Sequence, residues 1–248
     1  MQTQSPQVHR NALRTASIAL GLFLTVLGTA VFFRLASPAA AQFARPIDPP
    51  LADLPNSTGS GTGRAVFAGG CFWGVQAVFQ HTKGVTSAIS GYAGGTLSAP
   101  SYEQVSSGGT GHAEAVEITF DPKQISFGRL LQIYFSVAHD PTQLNRQDPD
   151  EGTQYRSEIF ATSDTQQRIA EAYIADLDKA HAFPRPIVTK VERLKAFYPA
   201  EPYHQDYATL HPDSLYIAAY DLPKIANLKK LYPEFYREQA VLVGGDQQ

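Results

Sequence analysis

The sequence predicts a two-layer α+β domain over residues 64–248, a mixed or antiparallel sheet with helices on one side and a split βαβ, ferredoxin-like core. Three observations carry that prediction. Short apolar stretches of strand character alternate with segments of helical apolar spacing, and glycine and proline clusters punctuate them. A chain of 248 residues, 43% hydrophobic and 17% charged, has enough apolar material for one good core.

The elements follow in order. "RAVFAGG" is a short apolar strand that breaks at its glycines, and "CFWGVQAVFQ" then carries Phe72, Val75, Val78 and Phe79 at helical spacing. "GVTSAISGYAGG" reads as a strand ending in a glycine turn, and "SYEQVSS" as a short helix opening after Pro100. "HAEAVEITFD" is a strand with Ala113, Ala115, Ile118 and Phe120 in imperfect alternation. Ser126 caps an amphipathic helix, "SFGRLLQIYFSVAH". The loop "DPTQLNRQDPDEGTQYRS" leads into the strand "YRSEIFAT", a long helix from about Asp164 to His181, and a further strand, "PIVTKVERL". The last third is rich in Tyr, Pro and His and is expected to wrap the core as irregular structure with one or two short helices.

The N-terminus stands apart from this pattern. His9, Arg10 and Arg14 precede an apolar run from Ala16 to Phe33, and "RLASPAAAQ" then supplies Ala39 and Ala41 in the small-x-small arrangement of a cleavage site. Residues 1–41 read as a signal peptide or, if uncleaved, a membrane anchor, so the remainder is expected in the periplasm or elsewhere outside the cytoplasm. Residues 42–63 are rich in Pro, Gly and Ser and read as a tether. Residues 1–41 hold three arginines and no acid, which leaves 17 basic against 23 acidic residues beyond them. That mild acidity, with no basic cluster among aromatics, excludes a nucleic-acid partner. A monomer is expected.

Cys71 is the only cysteine, which excludes an internal disulfide, a cysteine-rich metal site and a Cys-x-x-Cys pair. It sits at a strand-to-helix turn, where free backbone N–H groups and the helix dipole stabilise a thiolate. The preceding glycines are expected to leave the sulfur uncovered, and Phe72 and Trp73 to wall a small apolar pocket. A buried, inert cysteine is an equally good reading of these residues alone.

The other polar clusters decide more. "GCFWG", "GYAGG", "SYEQV", "GTGHAEAV" and "DEGTQYRS", in this order and at these separations, resemble the peptide methionine sulfoxide reductase A family from about Ala65 to Gln205. The resemblance implies that Cys71 attacks the sulfoxide sulfur and becomes a sulfenic acid, while Phe72 and Trp73 hold the substrate methyl group. It also implies that Glu114 donates a proton to the sulfoxide oxygen, that Tyr102 and Tyr155 hydrogen-bond that oxygen, and that Asp150 completes the polar wall. Without it, the two tyrosines read as packing residues and Asp150 as a turn former. His112, two residues before Glu114, would share its face of a strand and is expected to orient the acid. His204 and His211 read as surface or packing histidines. "HAE" lacks the Pro-Cys-x-x-Cys partner of the zinc deaminases, so that metal reading fails.

Many members of the family carry resolving cysteines near the C-terminus, and this chain has none. The divergent segment 206–248 stands in their place. The expected partners are therefore oxidised methionine residues in proteins and an external thiol such as a thioredoxin-like dithiol protein, with no metal and no bound organic cofactor. Three rivals stay open on the residues: a cysteine hydrolase using His112 as base, a binding module with an inert Cys71, and a thiol peroxidase or redox sensor.

Overall fold

The computed structural model describes residues 43–54 and 61–243, so the expected export segment, residues 1–41, lies outside the described residues. A six-stranded mixed sheet is built from β1 (Gly63–Gly69), β2 (Val85–Ala93), β3 (Ala113–Phe120), β6 (Ser157–Ala161), β7 (Lys190–Arg193) and β8 (Phe197–Pro199), in the order β7-β6-β1-β3-β2-β8. The strands β4 (Arg146–Gln147) and β5 (Asp150–Glu151) form a separate small hairpin.

Strand β3 pairs antiparallel with both β1 and β2, so those two run parallel with β3 between them. Helix α1 (Phe72–Gln80) makes the crossover, which is the split βαβ unit expected from the sequence. A second unit follows on the other side of β1, where α4 (Asp164–Lys179) connects β6 to the parallel strand β7. The other helices are α2 (Tyr102–Ser106), α3 (Phe127–Ile133), α5 (Tyr207–Leu210) and α6 (Leu222–Leu231).

Alternation along the strands sets two apolar layers. Ala65 and Phe67 of β1, with Val116, Ile118 and Phe120 of β3, face the helices, whereas Val66, Ala68, Ala113 and Ala115 face a smaller cluster with Phe160. Phe67 centres the main core, its ring 4.9 Å from Tyr134 and 5.7 Å from Phe79. Helix α3 begins at Ser126, whose hydroxyl accepts from the Arg129 N–H, and it continues into a π-helical turn, Tyr134–Ala138. It is buried almost all round, not amphipathic as expected, because the chain before the domain also covers it.

That covering is the stretch expected to be a tether. Phe43 is buried, Arg45 Nη1 donates to the Ala182 carbonyl at 2.6 Å, and the Ile47 N–H donates to the Tyr232 hydroxyl at 3.2 Å. Asp53 then accepts from the Gly128 N–H at 2.8 Å and from the Ser126 hydroxyl, placing a carboxylate at the start of α3. Prolines 46, 49 and 50 made the stretch look like a linker. They hold an extended backbone equally well against a surface, and Phe43, Ile47 and Leu54 give it apolar contacts there.

Candidate active site

The site lies where β1 ends and α1 begins. Gly70 has a φ of +89°, and a Cβ on it would stand 2.5 Å from Gln147, so only glycine makes this turn without strain. Cys71 follows as the residue capping α1. Glu114 of β3 stands opposite Tyr92 of β2 on the helix-facing side of the sheet, and its Oε2 accepts the Phe72 N–H at 3.0 Å. The helix start thus carries the thiol and holds the acid beside it.

Burial governs the protonation of both groups. Glu114 is 2% exposed, and desolvation lifts its pKa from the ordinary 4.5 to about 8; the Phe72 hydrogen bond opposes the rise, while Asp150 and Asp221 add to it. Glu114 is accordingly a protonated acid at neutral pH. Cys71 is 9% exposed, and its thiol is pushed well above its ordinary value by burial and then by Glu114, Asp221 and Asp150. The Trp73 backbone hydrogen bond pulls the other way and loses. The expectation of an uncovered sulfur held as thiolate by the helix dipole is therefore corrected: the resting residue is a shielded thiol, because a half-charge at a helix end is outweighed by desolvation and three carboxyl groups.

The remaining expected residues surround this pair. Phe72 is fully buried, its ring 5.9 Å from Tyr92, and Trp73 is half-buried and stacks on Tyr207 at 3.9 Å. Burial raises the phenols of Tyr102, to about 12, and of Tyr155, and the nearby Glu114, Asp150 and Cys71 add to the rise in both. Both remain hydrogen-bond donors. Their loops are tied together: Gln154 Nε2 donates to the Ser106 carbonyl at 3.1 Å, and Arg156 donates to the carbonyls of Thr153 and Gly111 while pairing with Glu158. Asp150 accepts from the Tyr216 hydroxyl. The structure thus brings Cys71, Phe72, Trp73, Tyr102, Glu114, Asp150 and Tyr155 into one site.

His112 stands apart from it. Its Nδ1 accepts the Gly95 N–H at 3.2 Å and its Nε2 meets the Leu97 carbonyl at 2.8 Å, so it fastens the turn after β2 and does not orient Glu114. The sequence pattern failed there because β3 begins at Ala113, after the histidine.

The divergent segment contributes residues that no motif marked. Tyr216 meets Trp73 edge-on at 6.0 Å and donates its hydroxyl to Asp150, and Asp221 is fully buried with Lys224 Nζ donating to its Oδ1 at 3.1 Å. This pair lies directly on Gly74, where a Cβ would come within 2.0 Å of Asp221 Oδ1. Replacing Gly74 by alanine is expected to displace Asp221 and Lys224. We expect thermal unfolding of Gly74→Ala to show a loss of about 1–3 kcal/mol, the usual cost of overpacking. Among the described residues, no group of three or more His, Cys, Asp or Glu side chains is arranged to hold a metal ion.

Comparison with known proteins bears directly on this arrangement. Residues 63–235 match the family model of peptide methionine sulfoxide reductase. The chain belongs to that family. It is an oxidoreductase that returns methionine sulfoxide to methionine. A Mesorhizobium japonicum peptide methionine sulfoxide reductase, MsrA 2, is 62% identical over 183 residues, covering 74% of this chain and 94% of its own length. A Synechocystis reductase of the same description is 47% identical over 202 residues, covering 81% and 94%. Among solved structures, reduced Mxr1 from Saccharomyces cerevisiae matches with a TM-score of 0.57 at 34% identity, over 62% of this chain and 87% of that one. Methionine sulfoxide reductase A of Corynebacterium diphtheriae matches with a TM-score of 0.54 at 32% identity, over 69% and 89%. The α+β fold of the reductase and the family resemblance of its motifs agree, and the hydrolase, binding-module and redox-sensor readings are not favoured.

Proposed function

We propose that the reductase acts on the S epimer of methionine sulfoxide in proteins outside the cytoplasm, with Cys71 as nucleophile, Glu114 as proton donor and a thioredoxin-like dithiol protein as reductant. The observation that carries the reading is the Glu114 carboxyl, kept protonated up to about pH 8 and hydrogen-bonded beside Cys71 at the Phe72 N–H. The sulfoxide oxygen is a poor leaving group until it is protonated.

Glu114 gives its proton to the sulfoxide oxygen as the Cys71 sulfur attacks the substrate sulfur, and the Cys71 thiol proton returns to Glu114. The oxygen moves to Cys71, which is oxidised to a sulfenic acid, and the sulfoxide is reduced to the thioether. Tyr102 and Tyr155 donate hydrogen bonds to the oxygen as its charge changes, and Asp150, fixed by Tyr216, closes the polar side. Phe72 and Trp73 hold the methyl group, so exchange of methyl and oxygen in the other epimer would put oxygen on an apolar wall.

A thiol of the reductant then attacks the sulfenic acid and releases water, leaving a mixed disulfide that its second thiol opens to restore Cys71. The dithiol assignment rests on the absence of any second cysteine in the chain and on the export signal read in residues 1–41. Repeated turnover with glutathione but never with a dithiol protein would refute it. The core reaction is tested by a single turnover of residues 42–248 with S-epimer methionine sulfoxide and no reductant. The expected result is about one methionine per protein and one oxygen gained on Cys71. An unreacted thiol with no methionine would reject it.

A further inference from the structure

Tyr155 stands between two residues whose side chains tie it to two different elements. The turn Thr153–Tyr155 has few bonds of its own: the Tyr155 N–H donates to the Gly152 carbonyl at 3.0 Å and the Arg156 N–H to the Thr153 carbonyl at 3.3 Å. On one side, Gln154 is buried and its Nε2 donates at 3.1 Å to the carbonyl of Ser106, the last residue of the helix that begins at Tyr102. On the other, the Arg156 side chain is 13% exposed, and its Nη2 donates to the Gly111 carbonyl at 3.1 Å, its Nη1 to the Thr153 carbonyl at 2.9 Å and its Nε to Glu158 Oε2 at 2.6 Å. Gly111 lies just before β3, whose second residue is Glu114.

The surrounding backbone leaves room for both ties. A Cβ on Gly94, in the turn after β2, would come within 2.6 Å of Arg156 Nη2, and one on Gly152 within 2.4 Å of Gln154 Oε1. Glu158 is 1% exposed, so the guanidinium is held by a desolvated carboxylate and keeps one orientation. Arg156 thereby joins "GYAGG", "GTGHAEAV" and "DEGTQYRS", three strings far apart in the chain. Gln154 Oε1 is buried and meets no hydrogen-bond partner among the described residues, so the amide serves through its donor. Ties of this span exceed what closing a single short turn requires.

We propose that Gln154 and Arg156 are positioning residues, a brace that fixes the Tyr155 phenol against Tyr102 and Glu114 so that all three groups reach one sulfoxide oxygen together. The inference rests on the proposed role of those three groups at that oxygen. Tyr155 donates as the charge on the oxygen changes, so an error in its place weakens the transition state more than it weakens substrate binding. Arginine suits the task because its planar fork directs several N–H groups at once. Lysine keeps the charge and the pairing with Glu158 but cannot hold both carbonyls in the same geometry.

We expect Arg156→Lys and Gln154→Leu each to lower the single-turnover rate about tenfold, the loss of one hydrogen bond, with the sulfoxide concentration for half-maximal rate within about twofold of the parent. In a Tyr155→Phe background, which lacks the hydroxyl to be placed, either substitution should change the rate by less than about twofold. Glu158→Gln keeps an oxygen for Arg156 Nε and leaves both carbonyl bonds, so it is expected to lower thermal stability while the rate stays within about twofold of the parent. Hydrogen exchange on the resting protein reads the brace without turnover. The amides of Tyr155 and Arg156 should exchange about tenfold faster in Arg156→Lys and in Gln154→Leu than in the parent protein. Should one of these two variants fail to fold, the other decides. Rate losses that persist in full in Tyr155→Phe, losses that simply follow thermal stability across the three variants, or unchanged exchange would each overturn the proposal. An inactive parent whose turn is nevertheless loosened by both substitutions would count against the reductase mechanism and leave the brace standing.

Discussion

Cys71→Ser is expected to remove sulfoxide reduction altogether: no methionine released in a single turnover, and no oxygen gained on residue 71. The chain holds no other sulfur nucleophile of this kind, its single Met and single Cys being its only sulfur side chains. A serine hydroxyl is a far weaker acid than a thiol, and the surroundings that already hold the Cys71 thiol protonated would hold the hydroxyl more firmly still. Neither would serine oxygen accept the sulfoxide oxygen as sulfur does in forming a sulfenic acid. The substitution is nearly isosteric, so unchanged thermal unfolding and Trp73 emission should accompany the loss. Residual turnover in the serine variant would show that the oxygen is transferred elsewhere.

Glu114→Gln is expected to lower the single-turnover rate by about 10²- to 10⁴-fold, the usual contribution of a positioned general acid. Glutamine keeps the size of the side chain and an oxygen able to accept the Phe72 N–H, but it has no acidic proton. The pH dependence separates lost acidity from lost shape. The active form of Glu114 carries its proton, so the parent rate should fall as pH rises through about 8, and the glutamine variant should show no such limb. Stability moves in the same direction. With its folded pKa raised from 4.5 to about 8, Glu114 binds more protons folded than unfolded between those values, so its contribution to stability declines as pH rises across that window and is flat above it. Denaturant titrations at pH 5 and pH 9 should show a smaller difference in Glu114→Gln than in the parent protein.

The parts of this molecule that local sequence revealed are those in which a residue's task depends on its near neighbours. The break of β1 at Gly69 and Gly70, the helical spacing of Phe72, Val75, Val78 and Phe79, and the Ser126 cap are all events within one or two turns of chain. The family motifs likewise brought Cys71, Glu114, Tyr102, Asp150 and Tyr155 to attention as short strings, which the fold then gathers from the start of α1, β3, α2, β5 and the 3-10 turn Thr153–Tyr155. Residues 43–54 were misjudged because composition records that prolines are present and says nothing of the surface they lie against. His112 was misjudged because strand periodicity holds only inside the strand, and β3 starts one residue later.

Chain order and the family motifs sufficed to single out Cys71 and its aromatic neighbours, and apolar spacing sufficed for the split βαβ framework, since strand and helix periods are written in the spacing of apolar side chains. The protonation of Cys71 and Glu114 was decided only in three dimensions. Desolvation depends on every group that excludes water, and Asp150 and Asp221, far from Cys71 in the chain, add their charges only after folding. The same holds for Tyr216 and Asp221. Their segment has no regular apolar period to announce it, and they reach the site because Gly74 leaves room for Asp221 and because Gln205 and Asp206 fasten the chain to α1.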